Sequence, residues 1–317
     1  MIAIEAAPTI AIRFLKTIAR NGIPRFTSRA LAVFLLSCSP VRADVVADWD
    51  QIALSVVVAS AQRPADASHA LGMVHVAMFE AMNFVEAAYV PRFLVRPPAP
   101  LSVSSEAAAA AAAHHVLVQL FPQQQAALDA ALSHSLAAIP EGQKKSAGQM
   151  TGGTLGGSIY AVWPSDRASD ASRTARSGSA SDHLAWSAIV AKLIEFRRLG
   201  PIEAARLHSL VSLAFIDATA ASRDATGGDP CGPCVTSAAV LAILESEIGS
   251  TGVPKMQMTG IGAPVRVHLA AQDRRSPGDW PVGQFDGGVN AEGATWAGEA
   301  RGRKIGTQAL TYYRPIE

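Results

Sequence analysis

Two of the chain's three cysteines, Cys231 and Cys234, stand three residues apart in "GGDPCGPCVTSAAVLAILESEIG". A Cys-x-x-Cys pair can exchange thiols and disulfides when its first cysteine sits at a helix N-terminus, where the dipole stabilises a thiolate. Such a site is delivered to its helix by a β-strand. "VTSAAVLAIL" supplies the helix, but "ASRDATGGDP" ahead of it reads as a turn. Three readings therefore stay open: a structural disulfide, two free thiols, or a redox pair.

The eight histidines could hold a metal only if several shared a face. His69 and His75 are six apart, about 240° around a helix, and the adjacent His114 and His115 diverge by about 100°. Spacing along the chain thus gives no metal set, and each histidine is expected on a helix surface or as a satisfied buried group. Asp217 and Asp224 lie seven apart on one helix face, which suits structural hydrogen bonding as well as acid–base work. "RGRK" (301–304) reads as a solvated helix face, with anion binding as the sharper alternative. No GxSxG, HExxH or Walker-type loop is present.

The elements that must position these residues follow from composition and pattern. With 317 residues, 49% hydrophobic and 17% charged, the chain can bury a sizeable core. A net charge of +1 gives no pull toward nucleic acid. A homo-oligomer is compatible with this composition, and no particular partner is indicated. Abundant alanine and few β-branched runs favour helix, and no βαβ alternation is visible. The expected fold class is all-α.

Residues 1–43 read as a signal peptide. Arg13, Lys16, Arg20, Arg25 and Arg29 precede the short apolar core "ALAVFLLS", and "VRA" offers a cleavage site before Asp44. The product would be exported, periplasmic or extracellular, where disulfides persist. A second reading takes "LLSC" as a lipoprotein box with Cys38 lipidated. No later stretch reaches the roughly 18 apolar residues of a membrane span.

Residues 44–163 form an N-terminal helical region. Its helix over 68–90 carries Leu71, Val74, Met78, Met82 and Val85 as a buried stripe, and "PRFLVRPPAP" (91–100) follows as an extended connector. Helices are expected over 104–121, 122–139 and 140–163, the glycines of the last suggesting close packing. The polar stretch 164–181 reads as a flexible linker. Residues 182–317 form a C-terminal helical region: helices over 183–199 and 201–224, the segment after Cys231, a Gly/Pro-rich irregular stretch from 249 to about 293, and a closing helix over 298–313.

The order of these segments resembles exported bacterial members of the vanadium-dependent haloperoxidase / type-2 phosphatidic acid phosphatase superfamily. "VADWDQIALSVVVASAQRPADASHALGMVHVAMFEAMNFVEAAYVPRFL" is similar to the family's opening, in which Trp-Asn-x-Ile-Ala leads to an "ALAMVHAAMFDAVNA" helix. "EAAAAAAAHHVLVQLFPQQQAALDAALSHSLAAIPEG", "ARLHSLVSLAFIDATAASRDA" and "GRKIGTQALTYYRP" continue the likeness, over about 200 residues in pieces. The resemblance implies a helical bundle and, in the family, a vanadate or phosphate cradle built from Lys-x6-Arg-Pro, Pro-Ser-Gly-His and Arg-x5-His.

Carried over position by position, the cradle is damaged. Thr226 falls on the lysine, and about fifty residues expected next are absent, so the bundle is expected to be incomplete. Pro230, Cys231, Gly232 and Pro233 fall on Pro-Ser-Gly-His, which puts Pro233 on the histidine. Gln284 falls on the arginine and Asn290 on the attacking histidine, while Gly287 and Gly288 match. Asn290 has no ring nitrogen to attack phosphorus, and Pro233 can neither take a proton nor donate an N–H. Each lost charge-assisted bond costs about 1.5–3 kcal/mol. The resemblance therefore implies a chain without vanadate, and without haloperoxidase or phosphatase activity. The alternatives are a periplasmic thiol–disulfide protein using Cys231 and Cys234, or a non-enzymatic helical binding protein.

Overall fold

A computed structural model describes residues 44–60, 64–95, 102–163, 179–224, 232–249, 254–258, 265–269, 284–285 and 292–316. Residues 43–317 make up one compact unit, and the N-terminal segment before it lies outside the described residues. Helix α1 (Val45–Ala59) starts at Asp44, whose carboxylate caps it by accepting the Val46 N–H at 3.0 Å. Its inward face is Val46, Trp49, Asp50, Ala53 and Val57, an apolar stripe at helical spacing interrupted by one carboxylate.

Helix α2 (Pro64–Glu86) runs through the centre and is buried almost all round from Ala67 to Val85. It starts at Pro64, earlier than periodicity alone suggests, because proline at a first helical position sacrifices no hydrogen bond. The whole stripe Leu71, Val74, Met78, Met82 and Val85 is buried. Its polar residues tie down the connector that follows. Asn83 bonds both the N–H and the carbonyl of Tyr89 at 2.8 Å, and Glu80 accepts the N–H groups of Arg92 and Phe93. The reversal between them puts Ala87 at φ 59°, a left-handed conformation that favours glycine. Ala87→Gly should therefore raise stability by about 0.5–1 kcal/mol. Urea unfolding checks this, and a loss of stability would contradict it.

Helices α3 (Ser105–Leu120), α4 (Gln125–Ala137, after a 3-10 turn at Pro122–Gln124) and α5 (Gln143–Val162) complete the N-terminal half. Ser104 caps α3 through the Ala107 N–H at 3.0 Å. Gly148, Gly152 and Gly156 of α5 sit over the carbonyls of Ser104, Ala108 and Ala112, so the two helices run parallel in near backbone contact. At Gly152 an added Cβ would stand 2.0 Å from the Ala108 oxygen.

Helix α6 (Ser179–Arg197) takes in Ser179–Ser181, the end of the expected linker; 164–178 lie outside the described residues. Helix α7 (Pro201–Asp224) is the second central helix. It packs antiparallel to α2, with Gly72 against Ser212 and Ile216, and Ser209 Oγ donating toward the His75 carbonyl at 2.8 Å. Helix α8 (Gly232–Ile248) packs on α7 and on the closing helix α9 (Glu292–Ala309).

The expected irregular stretch contains a small sheet. Antiparallel strands β1 (Pro254–Met258) and β2 (Val265–Leu269) pair from Pro254↔Leu269 to Met258↔Val265, and the short β3 (Gln284–Phe285) adds to β2. The glycines and prolines that suggested irregularity flank strands whose own residues alternate, as in "KMQM" and "VRVHL". The described architecture is otherwise helical, in keeping with the all-α class. No helix among the described residues is long and apolar enough to cross a membrane.

Behind α9 the tail returns to the α2–α3 connector. Tyr89 pairs with Pro315, and the Val90 N–H donates to the Arg314 carbonyl at 2.8 Å. Arg206 donates to the Tyr313 carbonyl at 2.8 Å and forms an ion pair with Glu247, fastening α7 to both α8 and the tail.

Candidate functional site

Three helices place polar side chains at core positions that meet midway along the bundle. Asp50 from α1, His75 from α2 and His208 from α7 are all buried, and α6 adds His183. His75 occupies the buried stripe of α2, and His208 lies among Leu207, Leu210 and Val211 on the buried side of α7. The packing of α2 on α7 sets the two imidazoles 4.7 Å apart, tilted by 41°.

The geometry is a connected network. His75 Nε2 lies 2.9 Å from Asp50 Oδ1, and its Nδ1 lies 2.7 Å from Ser212 Oγ. Ser212 is also 3.3 Å from His183 Nε2, and His208 Nδ1 is 3.8 Å from Asp50 Oδ1. His183 stacks on Phe215 with ring centroids 4.5 Å apart. One ligand atom from each of Asp50, His75 and His208 falls within 4.8 Å of the others. Neither Asp50 Oδ2 nor His183 Nδ1 has a hydrogen-bond partner among the described residues, although both are buried.

Burial governs the charge states. It pushes His183 down to about 3, with His75 adding to the shift and Asp50 opposing it. It pushes His208 down to about 4, against the pull of Asp50. Both rings are thus neutral near pH 7. Burial also works against the Asp50 carboxylate, but His208 and the hydrogen bond from His75 outweigh it and hold the group below its ordinary value. No lysine or arginine is among the groups acting on Asp50.

Serine, imidazole and carboxylate in line have the connectivity of an activated nucleophile. Ser212, however, is 1% exposed, so its Oγ cannot meet a substrate without opening the core. The chemistry left to the cluster is proton sharing within the core or the holding of an ion.

Gly232 and Pro233 are the first two residues of α8, and Gln284 sits in β3 opposite Arg266. Thr226, Pro230, Cys231, Gly287, Gly288 and Asn290 lie outside the described residues, as does Cys38. Cys234 in the first turn of α8 is fully buried and disulfide-bonded. His69 accepts the Trp163 indole N–H at 2.6 Å, so it does face away from His75. His114 pairs with Asp129 at 2.6 Å, and Asp217 accepts the Tyr312 hydroxyl at 2.9 Å. Within "RGRK", Arg303 pairs with Glu245 and Glu299, while Arg301 and Lys304 are exposed.

The histidine cluster itself escapes a search along the chain. Within-helix angles separate His69 from His75, yet the cluster is drawn from different helices. The available signal was a carboxylate or imidazole at a core register of α1, α2 and α7, each an outlier on an apolar stripe. Comparison with protein-family models, curated proteins and solved structures finds no match.

Proposed function

We propose that the chain is an exported helical relative of the vanadium haloperoxidase / type-2 phosphatidic acid phosphatase superfamily that has lost that family's chemistry and serves as a helical scaffold or binding protein. The observation that carries this reading is the pairing of α8 and α9. Gly302 and Gly306 of α9 lie over the carbonyls of Val235 and Ala239 of α8, so the helices run parallel and begin at the same end. Helix α8 opens at Gly232, within the remnant of Pro-Ser-Gly-His, and α9 opens two residues after Asn290. From the register, α9 starts about 10 Å farther out than α8.

Parallel helix N-termini present unpaired N–H groups and positive dipole ends, the backbone half of an anion cradle. The side-chain half is what this chain lacks at Thr226, Pro233, Gln284 and Asn290. A buried disulfide at Cys234 suits a structural link at the start of α8 better than repeated thiol exchange.

The test is turnover by the purified protein: bromide oxidation with peroxide and added vanadate, phosphate-ester hydrolysis, and insulin reduction. All three should stay at the blank. Robust peroxidase or phosphatase turnover that disappears in Asn290→Ala would overturn the reading, and insulin reduction would transfer it to the thiol–disulfide class.

A further inference from the structure

We propose that Asp50, His75 and His208 form a buried binding site for one divalent transition-metal ion of the zinc class. This does not rest on the family reading. The donors are a carboxylate and imidazoles, the set that suits zinc and its neighbours rather than calcium or magnesium. A tetrahedral ion with bonds of about 2.0–2.1 Å separates its ligand atoms by about 3.3 Å. The Asp50 oxygen lies 2.9 Å from His75 Nε2 and 3.8 Å from His208 Nδ1, and the three ligand atoms all fall within 4.8 Å of one another, so modest side-chain shifts admit the ion.

Two further observations point to an ion rather than to a closed hydrogen-bond network. Asp50 Oδ2 is buried without a partner, a costly arrangement that a bound ion would relieve. The carboxylate is fully buried with imidazoles as its partners and no lysine or arginine acting on it, so a bound cation would add to the compensation that His75 and His208 give. The surroundings also hold the site in order. When His75 Nε2 ligates, its ring proton sits on Nδ1, which donates to Ser212 Oγ at 2.7 Å. A hydroxyl partner of this kind fixes ring orientation and raises ligand basicity. Ser209 anchors the His75 backbone from α7 in addition. The ion would join α1, α2 and α7, with α6 behind it, which makes the site a structural rivet at the centre of the bundle.

The test uses the full chain, stripped with a chelator and titrated with Zn2+, with Co2+ as the spectroscopic probe. One equivalent of Zn2+ should bind and raise the melting temperature, and Co2+ should give the visible d–d bands of a tetrahedral site. Ser212→Ala, which touches only the partner of a ligand, should weaken binding about 10–100-fold. Asp50→Asn and His208→Gln should abolish the Co2+ bands, while His114→Ala on the exposed Asp129 pair should leave them unchanged. Absence of stoichiometric binding to the wild-type chain at micromolar Zn2+ overturns the proposal. So do Co2+ bands that survive Asp50→Asn, and a variant that fails to fold leaves the wild-type spectrum and Ser212→Ala to decide.

Discussion

Stability in chelator should fall steeply between pH 6 and pH 4, on the order of 3 kcal/mol per pH unit at the steepest point. The cause is His183 and His208. Each titrates ordinarily at 6.5, and in the folded chain burial holds them down to about 3 and about 4. Below pH 6.5 the unfolded chain therefore takes up two protons that the folded chain refuses, and the equilibrium shifts toward unfolding. Both rings are fully buried, so solvent does not soften the effect.

Asp50 adds to the loss only in stronger acid, because its depressed carboxyl gives stability that is present above its unfolded value and goes as pH falls through its folded one. Glu80 has the opposite sign. Burial raises its carboxyl against hydrogen bonds from Arg92 and Phe93, so the folded chain takes that proton first and offsets part of the slope. A domain stable by about 5–15 kcal/mol cannot lose this much over a unit and a half without consequence. Urea midpoints at pH 7, 5.5 and 4.5 should fall in order, and His208→Gln should roughly halve the slope. A flat profile, or a slope untouched by that substitution, contradicts the picture.

Gly152→Ala should destabilise, by up to about 2 kcal/mol, although alanine is the better helix former. Propensity alone would favour the change by about 1 kcal/mol. The new Cβ, however, would stand 2.0 Å from the Ala108 oxygen and 2.7 Å from its Cα, and main-chain atoms of α3 cannot swing aside as a side chain can. The helices must part along a seam in which a Cβ at Gly148 or Gly156 would also stand only 2.4 or 2.7 Å from an α3 carbonyl oxygen, and overpacking of this kind typically costs about 1–3 kcal/mol before the propensity gain is counted. Gly153, the next residue, has nothing within 4 Å of the same position. Gly153→Ala should then stabilise by about 0.5–1 kcal/mol. Thermal unfolding of the two variants side by side should shift them in opposite directions, and a stabilised Gly152→Ala would contradict the close contact of α3 and α5.

How much of this was legible depended on whether a signal lies within one element. Apolar period marked the helices and the stripe Leu71–Val85, and glycines four apart marked a close helix contact. The strands at 254–258 and 265–269 were masked by the glycines and prolines around them, since short strands leave only a few alternating residues. The Asp50–His75–His208 cluster was illegible for a different reason. Each member reads alone as one polar residue on a buried stripe, and only the antiparallel packing of α2 on α7, with α1 alongside, makes three such residues one site. Cys234 sits in the first turn of the expected helix, but spacing could not decide whether its sulfur was free or bonded.

The proposed loss of an anion cradle bears most directly on what the protein does, and orthovanadate binding to the full chain at neutral pH, followed by calorimetry, measures it. If, as proposed, Thr226, Pro233, Gln284 and Asn290 stand where the resembled superfamily carries its charged and histidine side chains, the account predicts no saturable heat at micromolar vanadate, and none with phosphate. Stoichiometric micromolar binding that is lost in Asn290→Ala would mean that the ends of α8 and α9 still hold an oxyanion, and would contradict it.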